Sequence, residues 1–366
     1  MSDFSDLTAF LDDLVTRYGA PGNDCIVYHR GQCVYRHQSG FSDAEIHVLM
    51  NGAERYNIYS CSKLITCAAA LQLFEGGRFK LDDELADYMP EFAEMTVADG
   101  DKTRPARRHI TIRNLFTMTA GFSYDVTTAN LLAARREIPE MQTRAVMRYL
   151  ARDPLVFDPG DRWNYSLCHD VLAALVEVLA GQPFETYVRD NITVPLGMHQ
   201  TTFMLPEGEI GMIAPQYVYN GQTETRRRID GHIWNYKLGP AFASGGAGGI
   251  STVDDFIKFL EALRTGDSIL KRETIDLMST DQLTESQRHT AWVAGGYGYG
   301  LGCRCRSALN PDDGPTDFGW GGAAGAYAAV DRVHGYTVFY AQHILASRVQ
   351  PRRGAIAGIV RRAIGG

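Results

Sequence analysis

Ser60-Cys61-Ser62-Lys63-Leu64-Ile65-Thr66-Cys67-Ala68-Ala69-Ala70-Leu71 begins a segment that is apolar almost all round and ends at Gly76-Gly77. A helix that is apolar on all sides is buried, and glycine commonly follows its last turn, so this pattern predicts a buried helix. Side chains three residues apart lie on one face of a helix, which brings the hydroxyl of Ser60 next to the amine of Lys63. An amine so placed can take the hydroxyl's proton and make the serine a nucleophile.

The same spacing occurs again in different surroundings, at Ser268-Ile269-Leu270-Lys271. Ser268 follows Gly266-Asp267, and Lys271 leads into a charged run. Glycine, aspartate and serine are typical of turns and helix caps. We therefore interpret Ser268 as a turn or cap residue and Ser60 as the candidate nucleophile.

Length, composition and charge indicate a globular protein. The 366 residues are 45% hydrophobic and 22% charged, enough to bury a sizeable core as one large domain or two lobes. The formal net charge of -7 argues against nucleic acid as a partner. The basic run Arg226-Arg227-Arg228 is interpreted as a solvated loop.

The first residues and the cysteines bear on localisation. Met1-Ser2-Asp3-Phe4-Ser5-Asp6 is acidic, without the basic start and apolar centre of a signal peptide, and no stretch is long enough to span a membrane. Seven scattered cysteines, an odd number, fit reduced thiols. We expect a cytoplasmic protein that has no membrane partner.

Periodicity predicts that the two chain ends share one sheet. A helix near residues 3–18 precedes two strand patterns, at residues 24–28 and 32–36, around a His29-Arg30-Gly31 turn. Two more strand patterns, at residues 325–330 and 336–341, precede a final helix after Pro351, whereas residues 81–240 show helical patterns and few strand signals. We predict an α+β fold, an antiparallel sheet flanked by terminal helices with an inserted, mainly helical lobe. The expected lobes are residues 1–80 with 241–366, and residues 81–240, with a cleft between them.

Five ordered motifs carry a resemblance to a known superfamily. They are Ser60-x-x-Lys63, the segment Phe157-Asp158-Pro159-Gly160-Asp161-Arg162-Trp163-Asn164-Tyr165-Ser166, the segment Pro195-Leu196-Gly197-Met198-His199-Gln200-Thr201, the segment Ser244-Gly245-Gly246-Ala247-Gly248-Gly249-Ile250-Ser251-Thr252, and the segment Gly319-Trp320-Gly321-Gly322-Ala323-Ala324-Gly325. In this order the chain resembles the serine β-lactamase and penicillin-binding-protein superfamily. Within it, the chain is most similar to the class C β-lactamase-related enzymes called family VIII carboxylesterases.

The resemblance implies a role for each matching residue. Ser60 would be the nucleophile, Lys63 its partner, and Tyr165 the general base of acylation and general acid toward the leaving group. The backbone amides of Ser60 and Ala323 would form the oxyanion hole. Free lysine and free tyrosine are poor bases at neutral pH, so their surroundings in the protein must shift their pKa values. We therefore expect Lys63 and Tyr165 to titrate as a coupled pair. No metal or organic cofactor is implied.

Two departures from the β-lactamase pattern point to esters. The second β-lactamase motif is Tyr-x-Asn, but here Leu167 stands at the asparagine position and would leave the amide of a β-lactam unpaired. The third motif is Lys-Thr-Gly, but here it reads Trp320-Gly321-Gly322, in which an indole replaces the cation that binds a carboxylate. The two glycines let the strand backbone approach a substrate closely. Tyr124 is a further candidate wall residue.

Several readings stay open beside a carboxylesterase acting on small or short-chain esters. A β-lactamase, or a D-amino-acid peptidase or amidase, is disfavoured by Leu167 and Trp320. A transacylase would use the same residues as an esterase. A non-catalytic ligand binder would not need all three reactive side chains. The partner in each case is a small molecule, an ester or amide for the enzymes.

Other motifs are assigned structural roles. The Gly-rich segment 244–249 lacks the Gly-Lys-Ser/Thr ending of a phosphate loop, and it is interpreted as a structural loop beside the cleft. His169-Asp170 follows Tyr165 closely enough to suggest a Ser-His-Asp triad. Adjacent helical residues point apart, so we expect both on a helix surface.

Overall fold

The computed structural model describes residues 2–205, 208–229, 238–293 and 296–365. Its α-helices are α1 Ser5–Thr16, α2 Ser62–Glu75, α3 Ile112–Phe116, α4 Ala129–Glu137, α5 Thr143–Leu150, α6 Cys168–Ala180, α7 Phe184–Val188, α8 Val253–Thr265, α9 Arg272–Met278, α10 Glu285–Arg288 and α11 Ala355–Ala363. Its strands are β1 Gly22–His29, β2 Gln32–Asp43, β3 Val48–Leu49, β4 Tyr56–Asn57, β5 Thr96–Asp99, β6 Lys102–Pro105, β7 Gln216–Asn220, β8 Thr225–Ile229, β9 Ile250–Ser251, β10 Tyr297–Tyr299, β11 Arg304–Arg306, β12 Tyr327–Asp331, β13 Tyr336–Gln342 and β14 Ile344–Leu345.

The largest sheet joins the two ends of the chain, as predicted. Its strand order is β12-β13-β1-β2-β3, and all its pairs are antiparallel. Strand β1 pairs with β13 from Asn23 opposite Gln342 to His29 opposite Tyr336. The tight β1–β2 turn places Arg30 and Gly31 at positive φ, 51° and 82°. The predicted α+β class is confirmed.

Helices cover both faces of this sheet. Leu7, Leu11 and Leu14 form the buried stripe of α1, with the spacing of a helix that has one apolar face. This stripe packs in one apolar cluster with strand residues and with α11. Helix α8 packs against β1, β12 and β13, where the rings of Phe256 and Phe339 stack at 4.4 Å.

The apolar segment after Ser60 forms the predicted buried helix. Along α2 every residue from Ser62 to Leu71 is buried, which is why its sequence lacks an exposed polar face. Helix α2 packs against α6, whose residues Cys168 to Val176 are also buried. This pair sets the position of the candidate site. The division into lobes at residues 80 and 240 stays a prediction.

Residues 81–240, which show few strand signals in the sequence, also contain short strands. This part holds the hairpin β5–β6 and the pair β7–β8, and β14 adds to β7 in parallel. The run Arg226-Arg227-Arg228 belongs to strand β8 rather than to a loop, and Arg228 pairs with Asp43 at 2.7 Å. These strands are short and charged on their exposed side, so they lack the apolar alternation that reveals a half-buried strand.

Two further findings concern the cysteines and the length of the helices. The described residues include all seven cysteines, and each is a free thiol. In the part of the chain that the structure describes, no single helix is long and apolar enough to cross a membrane. The bent pair Cys168–Ala180 and Phe184–Thr193, with an angle of 78°, reaches that length and composition only when its two helices are taken together.

Candidate active site

The candidate nucleophile lies in a strained turn at the start of the buried helix α2. Residues Tyr59–Cys61 form a single 3-10 turn that runs directly into α2. Tyr59 adopts a φ of 46°, a region that residues other than glycine rarely occupy. The surrounding structure must hold this conformation, and such strain is concentrated at functional sites.

Three reactive side chains meet at Ser60, as the motifs predict. Lys63 Nζ donates a hydrogen bond of 3.3 Å to Ser60 Oγ, and Tyr165 Oη lies 2.5 Å from the same atom. Lys63 is fully buried, and its Nζ also donates a 2.6 Å hydrogen bond to the carbonyl of Gly246. Lys63 Nζ lies 4.5 Å from the centroid of the Tyr165 ring. These contacts provide a nucleophile with a base and a cation within reach.

The segment before Tyr165 is fixed by an ion pair between the partly exposed Arg104 and the buried Asp158. Both guanidinium nitrogens of Arg104 bind the Asp158 carboxylate, at 3.0 and 2.6 Å, and the Arg107 amide donates a further bond of 2.8 Å. Hydrogen bonds from Arg104 lower the pKa of Asp158 to about 2. Nearer to Tyr165, the side-chain amide of Asn164 donates a 2.8 Å hydrogen bond to the carbonyl of Phe122. This bonding holds the tyrosine against Ser60.

Trp320 contacts the tyrosine as well as lining the cavity. Its ring lies 5.9 Å from that of Tyr165, at an interplanar angle of 21°. Its indole Nε1 donates a 3.3 Å hydrogen bond to Tyr165 Oη. A donor in this position stabilises negative charge on the phenolic oxygen. The tryptophan therefore has an electrostatic contact that an apolar wall alone would not provide.

The glycines after Trp320 bring this segment against the nucleophile's turn. A Cβ on Gly322 would lie 2.3 Å from the carbonyl oxygen of Ile58, so only glycine fits there without a shift. The amide of Gly322 donates a 2.8 Å hydrogen bond to the Ala326 carbonyl and closes a tight turn. This turn presents Ala323 to the cavity that contains Ser60.

The cavity at Ser60 has a volume of about 540 Å³ and mainly aromatic walls. Its lining residues are Ser60, Tyr124, Tyr165, Trp292, Val293, Tyr297, Arg304, Trp320, Gly321, Gly322, Ala323, Tyr327, Gln350, Pro351, Arg353 and Gly354. The Tyr124 ring is parallel to that of Tyr165, at 5.4 Å and 2°. Of the predicted site residues, Ser60, Tyr124, Tyr165, Trp320, Gly321, Gly322 and Ala323 line the cavity.

Lys63 and Leu167 lie outside this lining, for different reasons. Lys63 is buried behind Ser60 and donates a hydrogen bond to its Oγ. Leu167 is 3% exposed and packs in the main apolar core, immediately before α6. The structure thus puts an apolar side chain at the asparagine position, but not on the cavity wall.

His169 and Asp170 do not lie on a helix surface, so that expectation was wrong. Both are buried in the first turn of α6, with 0% and 2% exposure. His169 Nε2 lies 3.3 Å from the Phe116 carbonyl and 3.7 Å from the thiol of Cys67, and burial lowers the pKa of this imidazole to about 3. The two side chains point apart, as expected of neighbours in a helix, but protein surrounds this helix on all sides.

Trp292 lies outside the five sequence motifs and was not predicted as a site residue. This residue is 60% exposed, yet its ring lies 5.2 Å from that of Tyr165 and 5.3 Å from that of Trp163. A large apolar side chain exposed beside a cavity is a typical sign of a binding surface. The only sequence signal was an isolated tryptophan in a segment without strong periodicity.

Comparisons with known proteins identify the family of this chain. The Beta-lactamase family model matches residues 7–361. Esterase EstB of Burkholderia gladioli is 30% identical over 363 residues, which cover 91% of this chain and 88% of that protein. Protein Rv1367c of Mycobacterium tuberculosis is 30% identical over 331 residues, with coverage of 84% and 81%.

Solved structures show the same fold. EstCE1, described as a hydrolase with promiscuous acyltransferase activity, superposes with a TM-score of 0.79 at 25% identity, over 98% of this chain and 97% of that one. Simvastatin synthase (LovD) from Aspergillus terreus gives a TM-score of 0.82 at 24% identity, with coverage of 100% and 98%. At that identity the second likeness concerns the fold alone.

Proposed function

The chain belongs to the β-lactamase family of serine hydrolases, and we propose that it is a carboxylesterase that forms an acyl-enzyme on Ser60. The observation that carries this proposal is the convergence on Ser60 Oγ of Lys63 Nζ at 3.3 Å and Tyr165 Oη at 2.5 Å. The similarity to Esterase EstB over 91% of the chain supports the choice of ester chemistry.

In the proposed acylation, Tyr165 takes the proton of Ser60 while Ser60 Oγ attacks the ester carbonyl. The Lys63 ammonium and the Trp320 indole N–H favour a phenolate form of Tyr165, because both stabilise negative charge near its oxygen. The amides of Ser60 and Ala323 bind the oxyanion. Tyr165 then gives its proton to the leaving alcohol, and water attacks the acyl-enzyme in the reverse sequence.

The cavity favours an uncharged ester with an apolar or aromatic group. Trp320 replaces the lysine of β-lactamases, and Trp292 adds an exposed ring to the cavity lining. The two arginines of the lining are engaged by protein groups, since Arg304 pairs with Asp317 at 2.8 Å and Arg353 donates to the carbonyl of Ala326 at 3.1 Å. Apolar contact with the rings would then provide most of the binding energy.

A comparison of substrates on one preparation tests this proposal. We expect kcat/KM for p-nitrophenyl butyrate to exceed the values for nitrocefin and penicillin G by roughly 10² to 10⁴, because the polar partners of a β-lactam are missing. A β-lactam that matches the ester would replace the esterase proposal with the β-lactamase alternative. Labelling by a fluorophosphonate that Ser60→Ala abolishes would exclude a non-catalytic binder.

Acyl transfer is a second candidate, supported by the similarity to EstCE1. Acylation is identical in both proposals, and only the acceptor that attacks the acyl-enzyme differs. An apolar cavity around Ser60 suits an alcohol acceptor as well as an ester. Adding benzyl alcohol to a p-nitrophenyl butyrate reaction and measuring benzyl butyrate against butyric acid distinguishes the two. Butyric acid as the sole product would exclude transfer to this acceptor.

We also propose that the predicted lobes form one catalytic unit with Ser60 in the cleft between them. Ser60, Trp320 and Ala323 of the cavity lining belong to the first predicted lobe, while Tyr124 and Tyr165 of the same lining belong to the second. Limited proteolysis tests this division. Cleavage near residues 80 and 240 is expected if the two parts are separate lobes.

A further inference from the structure

Asp170 is a buried carboxylate next to the loop that holds Lys63. It is 2% exposed, and its Oδ1 accepts hydrogen bonds from Ser244 Oγ at 2.6 Å and from the Gly246 amide at 3.3 Å. The Ser244 hydroxyl also accepts a 3.0 Å bond from the Ala247 amide. Burying a carboxylate is costly unless it is hydrogen-bonded or lies near a cation, so its presence here calls for a physical reason.

The loop residue that Asp170 holds also binds Lys63. Gly246 donates its N–H to Asp170, and its carbonyl accepts the 2.6 Å hydrogen bond from Lys63 Nζ. A Cβ on Gly246 would lie 2.6 Å from Asp170 Oδ2, so the carboxylate packs directly against this glycine. On α2, Thr66 fixes the adjacent carbonyl of Gly245 at 2.7 Å. Asp170 therefore helps to set the position of the carbonyl that binds the ammonium.

Asp170 is also a source of negative charge for Lys63. The titratable groups in the described part of the chain that face Lys63 are the phenols of Tyr124 and Tyr165, the thiols of Cys61, Cys67 and Cys168, the imidazole of His169 and the carboxyl of Asp170. They come from α2 and its preceding turn, from α6, and from the segments before α4 and α6.

Most of these groups are neutral at neutral pH. Burial raises the pKa of the Cys61 thiol to about 12, that of Cys168 to about 11 and that of Cys67 well above its ordinary value. Burial lowers the pKa of His169 to about 3, which leaves the imidazole uncharged. Burial also raises the pKa of Asp170, and the Ser244 hydroxyl and the Lys63 ammonium oppose that rise. Among the thiols, the imidazole and the carboxyl, only Asp170 is an acid whose ordinary pKa lies well below neutral pH.

We propose that Asp170 is a positioning residue of the acyl-enzyme reaction, which fixes the Gly246 carbonyl and places a carboxylate near Lys63 beside Tyr165. This inference rests on the proposed function of Ser60, Lys63 and Tyr165. An ammonium beside the phenol favours the phenolate, which is the form that can take the proton of Ser60. Asp170 acts through Lys63, since it does not line the cavity.

The variant Asp170→Asn tests the charge. Its amide oxygen can still accept from Ser244 and Gly246, so mainly the negative charge is lost. Without that charge the buried Lys63 nitrogen loses its nearby counter-charge. We expect kcat to fall roughly tenfold with little change in KM, and the alkaline limb of the pH–kcat profile to move about one pH unit lower. A loss of packing alone would not move that limb.

A matched control is Asp255→Asn on α8. Asp255 is also buried, at 5% exposure, and accepts a 2.7 Å bond from the amide of Gln200. Asp255 does not line the cavity, so the substitution should leave the pH–kcat profile unchanged. An alkaline limb that stays in place in folded Asp170→Asn overturns the proposed role of the charge.

Ser244→Ala tests the positioning of the loop. It removes the hydroxyl between Asp170 and the Ala247 amide but keeps the charge. We expect a several-fold fall in kcat with the alkaline limb in place, and an unchanged kcat overturns the positioning role even if Asp170→Asn does not fold. Retained activity in Ser60→Ala would instead overturn the proposed function itself.

Discussion

The two Ser-x-x-Lys segments of this chain share a spacing but not an environment. Lys63 is fully buried and donates to Ser60 Oγ and the Gly246 carbonyl. Ser268 and Lys271, by contrast, are exposed in the bend before α9, where the Lys271 amide binds Glu75. Two side chains at this spacing become a reactive pair only when protein replaces the water around them.

Aromatic side chains account for most of the remaining difference between the Ser60 segment and the Ser268 segment. At the first segment, Tyr165 contacts Ser60, and Trp320 and Trp292 surround the tyrosine. These rings pack against the tyrosine and restrict its conformations. An exposed serine keeps its hydration and the low reactivity of a free hydroxyl. Each variant described below removes one feature that distinguishes the Ser60 segment from the Ser268 segment.

The largest effect is expected from the two serines themselves. Ser60→Ala should lower kcat for p-nitrophenyl acetate by about 10⁴-fold or more, because no acyl-enzyme can form. The matched control Ser268→Ala should keep a kcat within about twofold of that of the unchanged protein. Steady-state kinetics of both variants decide the assignment, and equal losses would refute it.

Removing the partners of Ser60 should lower kcat slightly less than removing Ser60 itself. Tyr165→Phe and Lys63→Met should each lower kcat by about 10² to 10⁴, the usual contribution of a general base and its activating group. Lys271→Met controls for the loss of a lysine at the same spacing. Circular dichroism should show an intact fold in all three variants. Retained activity in either site variant would remove that residue from the mechanism.

An intermediate effect is expected at Trp320. Trp320→Ala removes both the indole donor to Tyr165 and apolar area from the cavity wall. Loss of a hydrogen bond to a developing charge costs about 1.5–3 kcal/mol, so kcat should fall roughly 10- to 100-fold. Trp320→Phe keeps a ring without the donor, and kinetics of the two variants separate the two contributions. Full activity in Trp320→Phe would show that the indole N–H is dispensable.

The smallest effect is expected at Trp292, and it should depend on the substrate. Trp292→Ala should lower kcat/KM for p-nitrophenyl benzoate roughly tenfold, because a bound aromatic group would bury this ring, which is 60% exposed. The acetate ester should change little. Leu309→Ala, a change at another exposed apolar residue that does not line this cavity, is the control. Equal losses for benzoate and acetate would argue against a binding surface at Trp292.

Much of the fold could be predicted because it depends on local patterns. The stripe of Leu7, Leu11 and Leu14 determines α1, and the β1–β2 hairpin follows from apolar runs around Arg30-Gly31. The short strands β5 to β8 could not be predicted in this way. β5 pairs with β6 and β7 with β8 across short turns, but these strands lack an apolar alternation of their own, and β7 also gains the distant neighbour β14.

The sequence by itself determined which candidate reactive groups the chain carries, whereas only the tertiary structure decided what surrounds them. Motif order identified Ser60, Lys63 and Tyr165, because a helix fixes the first pair and the resemblance supplies the third. Burial of Asp170 and the approach of Trp292 to Tyr165 had no comparable signal. Both depend on packing between segments far apart in the chain, of α6 against the loop at Gly246 and of the residues after α10 against the cavity. Local sequence records which groups are present, but their exposure and charge are set by neighbours that only the folded chain provides.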